Sequence, residues 1–132
     1  MILTADQIYA LACQAGFPPH VAVTMTAIAL RESAGDPAAF NGNEKTGDRS
    51  YGLWQINMFG SLAEPRKKIF DITSENELLD PMVNARAAFR LWGGKNKNLS
   101  IAWYIDVDHG DYQARYEKHL PAAQAAALAA KT

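Results

Sequence analysis

Pro19-His20-Val21-Ala22-Val23-Thr24-Met25-Thr26-Ala27-Ile28-Ala29-Leu30-Arg31-Glu32-Ser33 is the stretch that decides the fold. From Val21 to Leu30 it is apolar on nearly every side, broken only by Thr24 and Thr26, so a helix here must be surrounded by others. Pro19 suits the first turn of such a helix, where a missing N–H costs nothing. Val21, Met25, Ile28 and Glu32 then recur at steps of four, three and four, placing a carboxylate on the face of three buried side chains. The expectation is a mainly α domain of the α+β kind, built on a central buried helix that ends in Glu32.

Upstream, Thr4 and Gln7 fit a capping box, and Ile8, Leu11, Ala12 and Ala15 recur at helical spacing until Gly16 offers a stop. Phe17-Pro18-Pro19 separates that helix from the central one. Downstream, Gly35 to Arg49 is rich in Gly, Asn, Asp and Lys, with turn chemistry at Asn41-Gly42-Asn43 and Thr46-Gly47-Asp48. It reads as loops or a small, irregular β-hairpin. Gly60 to Thr73 reads mainly as loop, interrupted by Pro65 and carrying the basic cluster Arg66-Lys67-Lys68. Either Ser74 with Glu77 or Asp80-Pro81 starts a helix through Met82, Ala85, Phe89 and Trp92, which Gly93-Gly94 ends. Leu99 to Ile105 and Tyr112 to His119 are further short helices, and Pro121 introduces an Ala-rich helix with little to bury.

The 132 residues suit one domain with a real core. A net charge of -1, with 20% charged and 48% hydrophobic residues, gives no bulk basicity for nucleic acid. The single cysteine, Cys13, excludes an internal disulfide and a Cys-rich metal site. Met1 to Asp6 shows no basic region followed by an apolar core, so no signal peptide is expected. No apolar run reaches the roughly 20 residues of a membrane span.

A glutamate tied to an apolar face has its charged form disfavoured, and a carboxylic acid kept protonated is what glycosidic cleavage needs at the leaving oxygen. The plainer alternative for Glu32 is a helix-end residue paired with Arg31, Arg49 or a lysine. A second segment, Ser50-Tyr51-Gly52-Leu53-Trp54-Gln55-Ile56-Asn57, bears on that choice. Glu32-Ser33 with Pro37 resembles the Glu-Ser signature of the soluble lytic transglycosylase and goose-type lysozyme superfamily. Ser50 to Ile56 is similar to its Ser-x-Gly-Leu-Met-Gln-Ile element, and the spacing between the two fits. The resemblance covers about residues 20 to 104, and the residues Tyr51, Trp54 and Asn57 look most like phage-encoded lysozyme domains.

The resemblance implies a lysozyme-like fold whose cleft binds peptidoglycan glycan strands. It makes Glu32 the catalytic acid, sets Ser50 and Gln55 in the cleft with Tyr51 beside them, and has Gly52 keep the backbone close. Trp54 stands where the family has methionine, either stacking on a sugar ring or packing as a core aromatic. The family's Ala-Tyr-Asn element has Ala102-Trp103-Tyr104 as its counterpart. Trp103 takes the tyrosine's place or Tyr104 reaches in from a shifted register, or else Trp103 is core and Tyr104 surface.

Hydrolysis and transglycosylation differ in needing a second carboxylate. Carboxyl groups about 5 Å apart suit retention, a gap of roughly 6.5 to 9.5 Å leaves room for an activated water, and a transglycosylase works with one. Asp48 is the candidate for holding the water, with Glu44 and Asp36 behind it; its alternative is an Asx-turn residue. His20, His109 and His119 lack metal-ligand spacing, and Ser33 and Ser50 lack a Gly-x-Ser-x-Gly context. No cofactor or metal is expected, and the chain is expected to be a monomer. Residues 1–120 are read as the catalytic domain and 121–132 as an Ala-rich C-terminal helix or linker. The reading is a muramidase, with a lytic transglycosylase or a non-catalytic glycan-binding phage tail domain as alternatives. With no signal peptide, release through a holin or carriage on a phage particle would bring it to the cell wall.

Overall fold

The structure, a computed structural model, describes residues 1–94 and 115–131. Helix α1 spans Ala5–Ala15 and begins as the sequence implies: the Thr4 hydroxyl accepts the Gln7 N–H at 3.2 Å and the Gln7 side chain accepts the Thr4 N–H at 2.9 Å. Gly16 closes it at φ 122°, with the Phe89 ring too near to admit a β-carbon.

Helix α2, Pro19–Ser33, is the buried element. Ala22, Met25, Thr26, Ala27, Ile28 and Ala29 all have no exposed surface. Complete burial of Met25 and of Ile28 contributes about 1.5–3 kcal/mol each. Two hydroxyls share this apolar setting because each bonds back to its own helix, Thr26 to the Ala22 carbonyl at 2.7 Å and Ser33 to that of Ala29 at 3.0 Å.

The β element is a three-stranded antiparallel sheet of β1 Phe40–Asn43, β2 Asp48–Tyr51 and β3 Ile56–Asn57, in that spatial order. Phe40 pairs with Tyr51 and Asn41 with Ser50, and β3 adds Ser50 with Asn57 and Tyr51 with Ile56. Alternation therefore puts Asn41, Asp48, Ser50 and Asn57 on one face and Phe40, Arg49, Tyr51 and Ile56 on the other.

The segment expected to be mainly loop holds a 3-10 turn, Gly60–Leu62, and helix α3, Ala63–Phe70. Pro65 does not interrupt it. It sits in the first turn, where backbone N–H groups have no partner within the helix, so the missing donor leaves the helix intact. Both starts weighed for the next helix are used: Ser74 and Glu77 cap a 3-10 turn, Glu75–Leu79, and the Asp80 carboxylate caps α4, Pro81–Gly94, by accepting from Met82 and Val83 at 3.0 Å each.

The terminal helix α5, Leu120–Ala130, buries more than expected. Ala123 and Ala126 join the common core, and α5 packs on both α1 and α2. Alanine makes this close approach possible, since its side chain adds little between two helix backbones. Phe17, Phe89 and Trp92 tie the α1–α2 corner to α4, with ring centroids 5.2–5.7 Å apart. No described helix is long and apolar enough to cross a membrane. The expected helix at Leu99–Ile105 lies outside the described residues, as do residues 112–114 of the one expected at Tyr112–His119; of its remainder, residues 115–117 are helical and 118–119 form a turn.

Candidate active site

The first half of the site is the end of α2. Glu32 is half-buried in its last turn, one step past the buried Ile28 on the stripe that the sequence predicts. The chain leaves through two left-handed residues, Ala34 at φ 53° and Gly35 at φ 82°. Gly35 is pinned by the N-terminal segment: its carbonyl accepts the Leu3 N–H at 2.8 Å, and a β-carbon on it would lie 2.6 Å from the Leu3 oxygen. Asp36 then makes a tight turn, its carboxylate accepting the Ala38 N–H at 2.9 Å. The exit from the helix is thus fixed within a few residues of the carboxylate.

The second half is the segment from Asp48 to Asn57. Asp48 heads β2, and its carboxylate accepts from two neighbours on its own face of the sheet, the Ser50 hydroxyl and the Asn41 amide, the latter at 3.1 Å. The Asx turns of the region belong to Asp36, Asn43 and Asn57. Ser50 is buried, so its hydroxyl faces Asp48 and not bulk water. Tyr51 is also buried, its ring 5.0 Å from that of Phe40 and its hydroxyl accepting from Arg49 at 3.1 Å.

The turn after β2 requires Gly52. Its φ is 78°, and a β-carbon would collide with the Asn84 amide nitrogen and stand 2.5 Å from the Leu78 carbonyl oxygen. Gln55 completes the turn at φ 48°, and its side-chain amide donates to Ala39 O at 3.2 Å and Gly52 O at 3.0 Å. The Ala39 carbonyl also takes the Gly52 N–H at 2.7 Å. Ala39 lies on the segment that leaves Glu32, so the two motif segments are joined by hydrogen bonds and are not merely near in sequence.

Trp54 corrects one expectation. It has no exposed surface, and its indole N–H donates to the Met25 carbonyl at 2.8 Å. A ring so enclosed offers no face to a pyranose, so the core reading holds and the sugar-stacking reading gives way. Trp54 instead ties the second motif to the middle of α2. Trp103 and Tyr104 lie outside the described residues.

Three contributors were not anticipated. Asn84 on α4 is fully buried and gives its amide to the second motif: Nδ2 donates to Tyr51 O at 2.8 Å and Leu78 O at 2.9 Å, while Oδ1 accepts the Trp54 N–H at 2.9 Å. Arg66, the first of the basic cluster, donates to Asn57 O at 2.8 Å and so faces inward. Asn41 completes the hold on Asp48. Asn84 had a readable signal, an amide on a helix face whose next members, Ala87 and Ala88, are apolar and small. Arg66 and Asn41 had none, because a strand register and a helix inside an expected loop decide their partners.

Lys67 bridges Glu64 at 3.3 Å and Glu75 at 3.5 Å. Its bond to Glu64 raises the Lys67 pKa above the usual lysine value. The Glu75 carboxyl is held below its ordinary value, first by its own backbone N–H and then by Lys67 and Arg49. Among the described residues no group of three or more His, Cys, Asp or Glu side chains is placed to hold a metal ion.

A family model described as a lysozyme like domain matches residues 9–103, a span that contains both motif segments and the whole of α2, α3 and α4. No curated protein and no solved structure matches the chain.

Proposed function

Because the chain belongs to the lysozyme-like domain family, whose members act on peptidoglycan as glycosidases or transglycosylases, we propose that it is a muramidase. It cleaves the β-1,4 bond between N-acetylmuramic acid and N-acetylglucosamine, with Glu32 as general acid and then base. The observation that carries this is the double hydrogen bond at Ala39, from the Gly52 N–H and the Gln55 amide, which joins the segment leaving Glu32 to the second motif. A carboxylate in the last turn of a buried helix, on a chain segment hydrogen-bonded to a fixed polar turn, suits proton delivery to a glycosidic oxygen. Glu32 gives its proton to the leaving oxygen as the C1–O bond breaks. Water then adds to C1 and returns a proton to the carboxylate, which restores the enzyme.

Asp48 is the proposed partner that holds the water, and its hold by Ser50 and Asn41 supports that choice, since a fixed carboxylate can orient a water without rearranging. Ser50, Tyr51, Gln55, Trp103 and Tyr104 are proposed to face or support the glycan site. The lytic transglycosylase reading differs only in the nucleophile, the 6-hydroxyl of the muramic acid, and needs Glu32 but not Asp48. Likeness to phage-encoded domains supports a role as an endolysin or a virion-borne lysin.

Mass spectrometry of the muropeptides released from purified peptidoglycan tests the reading. The wild type should release products with a free reducing muramic acid, and Glu32→Gln should release none while keeping its fold. Products lighter by one water would assign the transglycosylase. Equal release by the two proteins would remove Glu32 from the chemistry, and glycan binding without product from either would leave a binding domain.

A further inference from the structure

The Asn84 side chain, fully buried on α4, bonds to a segment remote in sequence. Tyr51 O and Trp54 N–H, the two groups it grips in the second motif, flank Gly52 and Leu53. Its second N–H takes the Leu78 carbonyl. On its other side the same turn is held by Ala39, through the Gly52 N–H and the Gln55 amide. The turn is therefore clamped between α4 and the segment that follows Glu32.

Apolar contacts cannot supply this hold. Leu53, Trp54 and Ile56 are buried, but hydrophobic burial is non-directional and leaves the rotation of the intervening backbone undetermined. Hydrogen bonds are directional, and Gly52 packs so tightly on the Asn84 amide that no β-carbon fits between them. We infer that Asn84 is a positioning residue for the reaction, fixing through its amide how the Ser50–Gln55 segment is set against the end of α2 that carries Glu32. This rests on the reading of Glu32 as the acid. Asn84 itself touches no substrate; it acts through the backbone that carries the motif's polar side chains.

The test compares Asn84→Ala and Asn84→Asp with Ala123→Gly, a control that lowers stability in α5 by removing a buried helical methyl. All are assayed on a soluble peptidoglycan oligosaccharide, well below the midpoint of thermal unfolding of each. Asn84→Ala should lose about 30- to 100-fold in kcat with KM changed less than about threefold, the size of loss expected from a displacement of about 1 Å. Asn84→Asp keeps an acceptor for the Trp54 N–H but turns an oxygen, in place of the donor, on the Tyr51 and Leu78 carbonyls, so it should lose kcat as well. Ala123→Gly should keep its kcat within about twofold, in line with a purely structural change.

If Asn84→Ala and the control lose activity alike, in proportion to their lost stability, the positioning role is overturned while the muramidase reading stands. If the wild type releases no product, that reading falls and the inference falls with it. Should Asn84→Ala fail to fold, Asn84→Ser, which buries no charge and can bond its hydroxyl back to its own helix, carries the same comparison against Ala123→Gly: a fall in kcat beyond the control's supports positioning, and a matching fall overturns it.

Discussion

The two segments that meet at Ala39 are held in opposite ways. The end of α2 is held mainly by its own neighbours: Ser33 bonds to Ala29, the Ala34 N–H to Leu30 and the Asp36 N–H to Ser33, all within four residues, beside the long-range bond of the Leu3 N–H to the Gly35 carbonyl. The turn from Tyr51 to Gln55 depends on distant partners, Asn84 at a separation of 30 residues, Met25 at 29 and Ala39 at 16. A helix end is a conformation that a local sequence can specify alone, whereas this turn is a shape that the rest of the molecule must impose. Changes in the turn should therefore lower stability and activity together, and changes at the helix end should separate the two.

The most severe way to break the borrowed hold is Gly52→Ala. The new β-carbon would meet the Asn84 amide and the Leu78 carbonyl, at a φ of 78° that alanine seldom adopts. A loss of about 3 kcal/mol in urea unfolding is expected, with activity lost in parallel. Unchanged stability would mean that the turn moves freely, and the contrast between the segments would fail.

Trp54→Phe is gentler, because most of the ring remains. It removes the donor to the Met25 carbonyl and leaves a gap in the core, for about 2 kcal/mol in the same measurement. Glycan affinity should change little by comparison. A large loss of affinity at unchanged stability would restore Trp54 as a sugar-stacking residue.

On the self-supporting side, Ala34→Gly should act in the reverse direction. Ala34 is exposed and left-handed at φ 53°, a conformation that costs an L-residue roughly 1–2 kcal/mol and glycine almost nothing. Glycine's greater freedom in the unfolded chain takes back part of this, so a net gain of about 0.5 kcal/mol is expected. Muropeptide release should stay within about twofold of wild type. A marked fall in release would show that the helix end, too, needs strain to place Glu32.

What the sequence revealed follows the same division. The caps at Thr4 and Ser74, the bounds of α1 and α2, and the stripe leading to Glu32, with Met25 and Ile28 buried and Val21 partly so, are local patterns, and the structure has them where the residues imply. Trp54 left two roles open because an aromatic beside a glycine turn looks the same from sequence whether it faces a core or a ligand. Helix α3 was hidden by Pro65, since a proline reads as an interruption until its place in the first turn is known. The depth of α5 was hidden by its alanines, which bury little area each yet allow close packing on α2. Asn41 and Arg66 became visible only once strand register and helix direction were fixed.

The smallest expected effect lies at the outer end of the borrowed hold. The Leu78 carbonyl that accepts from Asn84 belongs to the 3-10 turn that Glu77 caps, and the Glu77 carboxylate accepts from the N–H groups of Thr73 at 2.7 Å and Ser74 at 2.9 Å. Those donors, the Ser74 N–H first and the Thr73 N–H and hydroxyl after it, hold the Glu77 pKa below its ordinary value of 4.5. A carboxyl whose pKa is depressed by folding adds stability that is fully present above its unfolded pKa and is lost as the pH falls through its folded pKa. Glu77→Gln keeps the shape and an acceptor oxygen but removes the charge, so it isolates that contribution. At pH 7 the wild type should melt slightly above Glu77→Gln, by less than any of the preceding changes, because the carboxylate is exposed and screened. The two melting curves should converge as the pH is lowered below the ordinary glutamate range. A gap that stays constant across that range would assign the cap to the shape of the side chain alone and remove its charge from the support of Asn84.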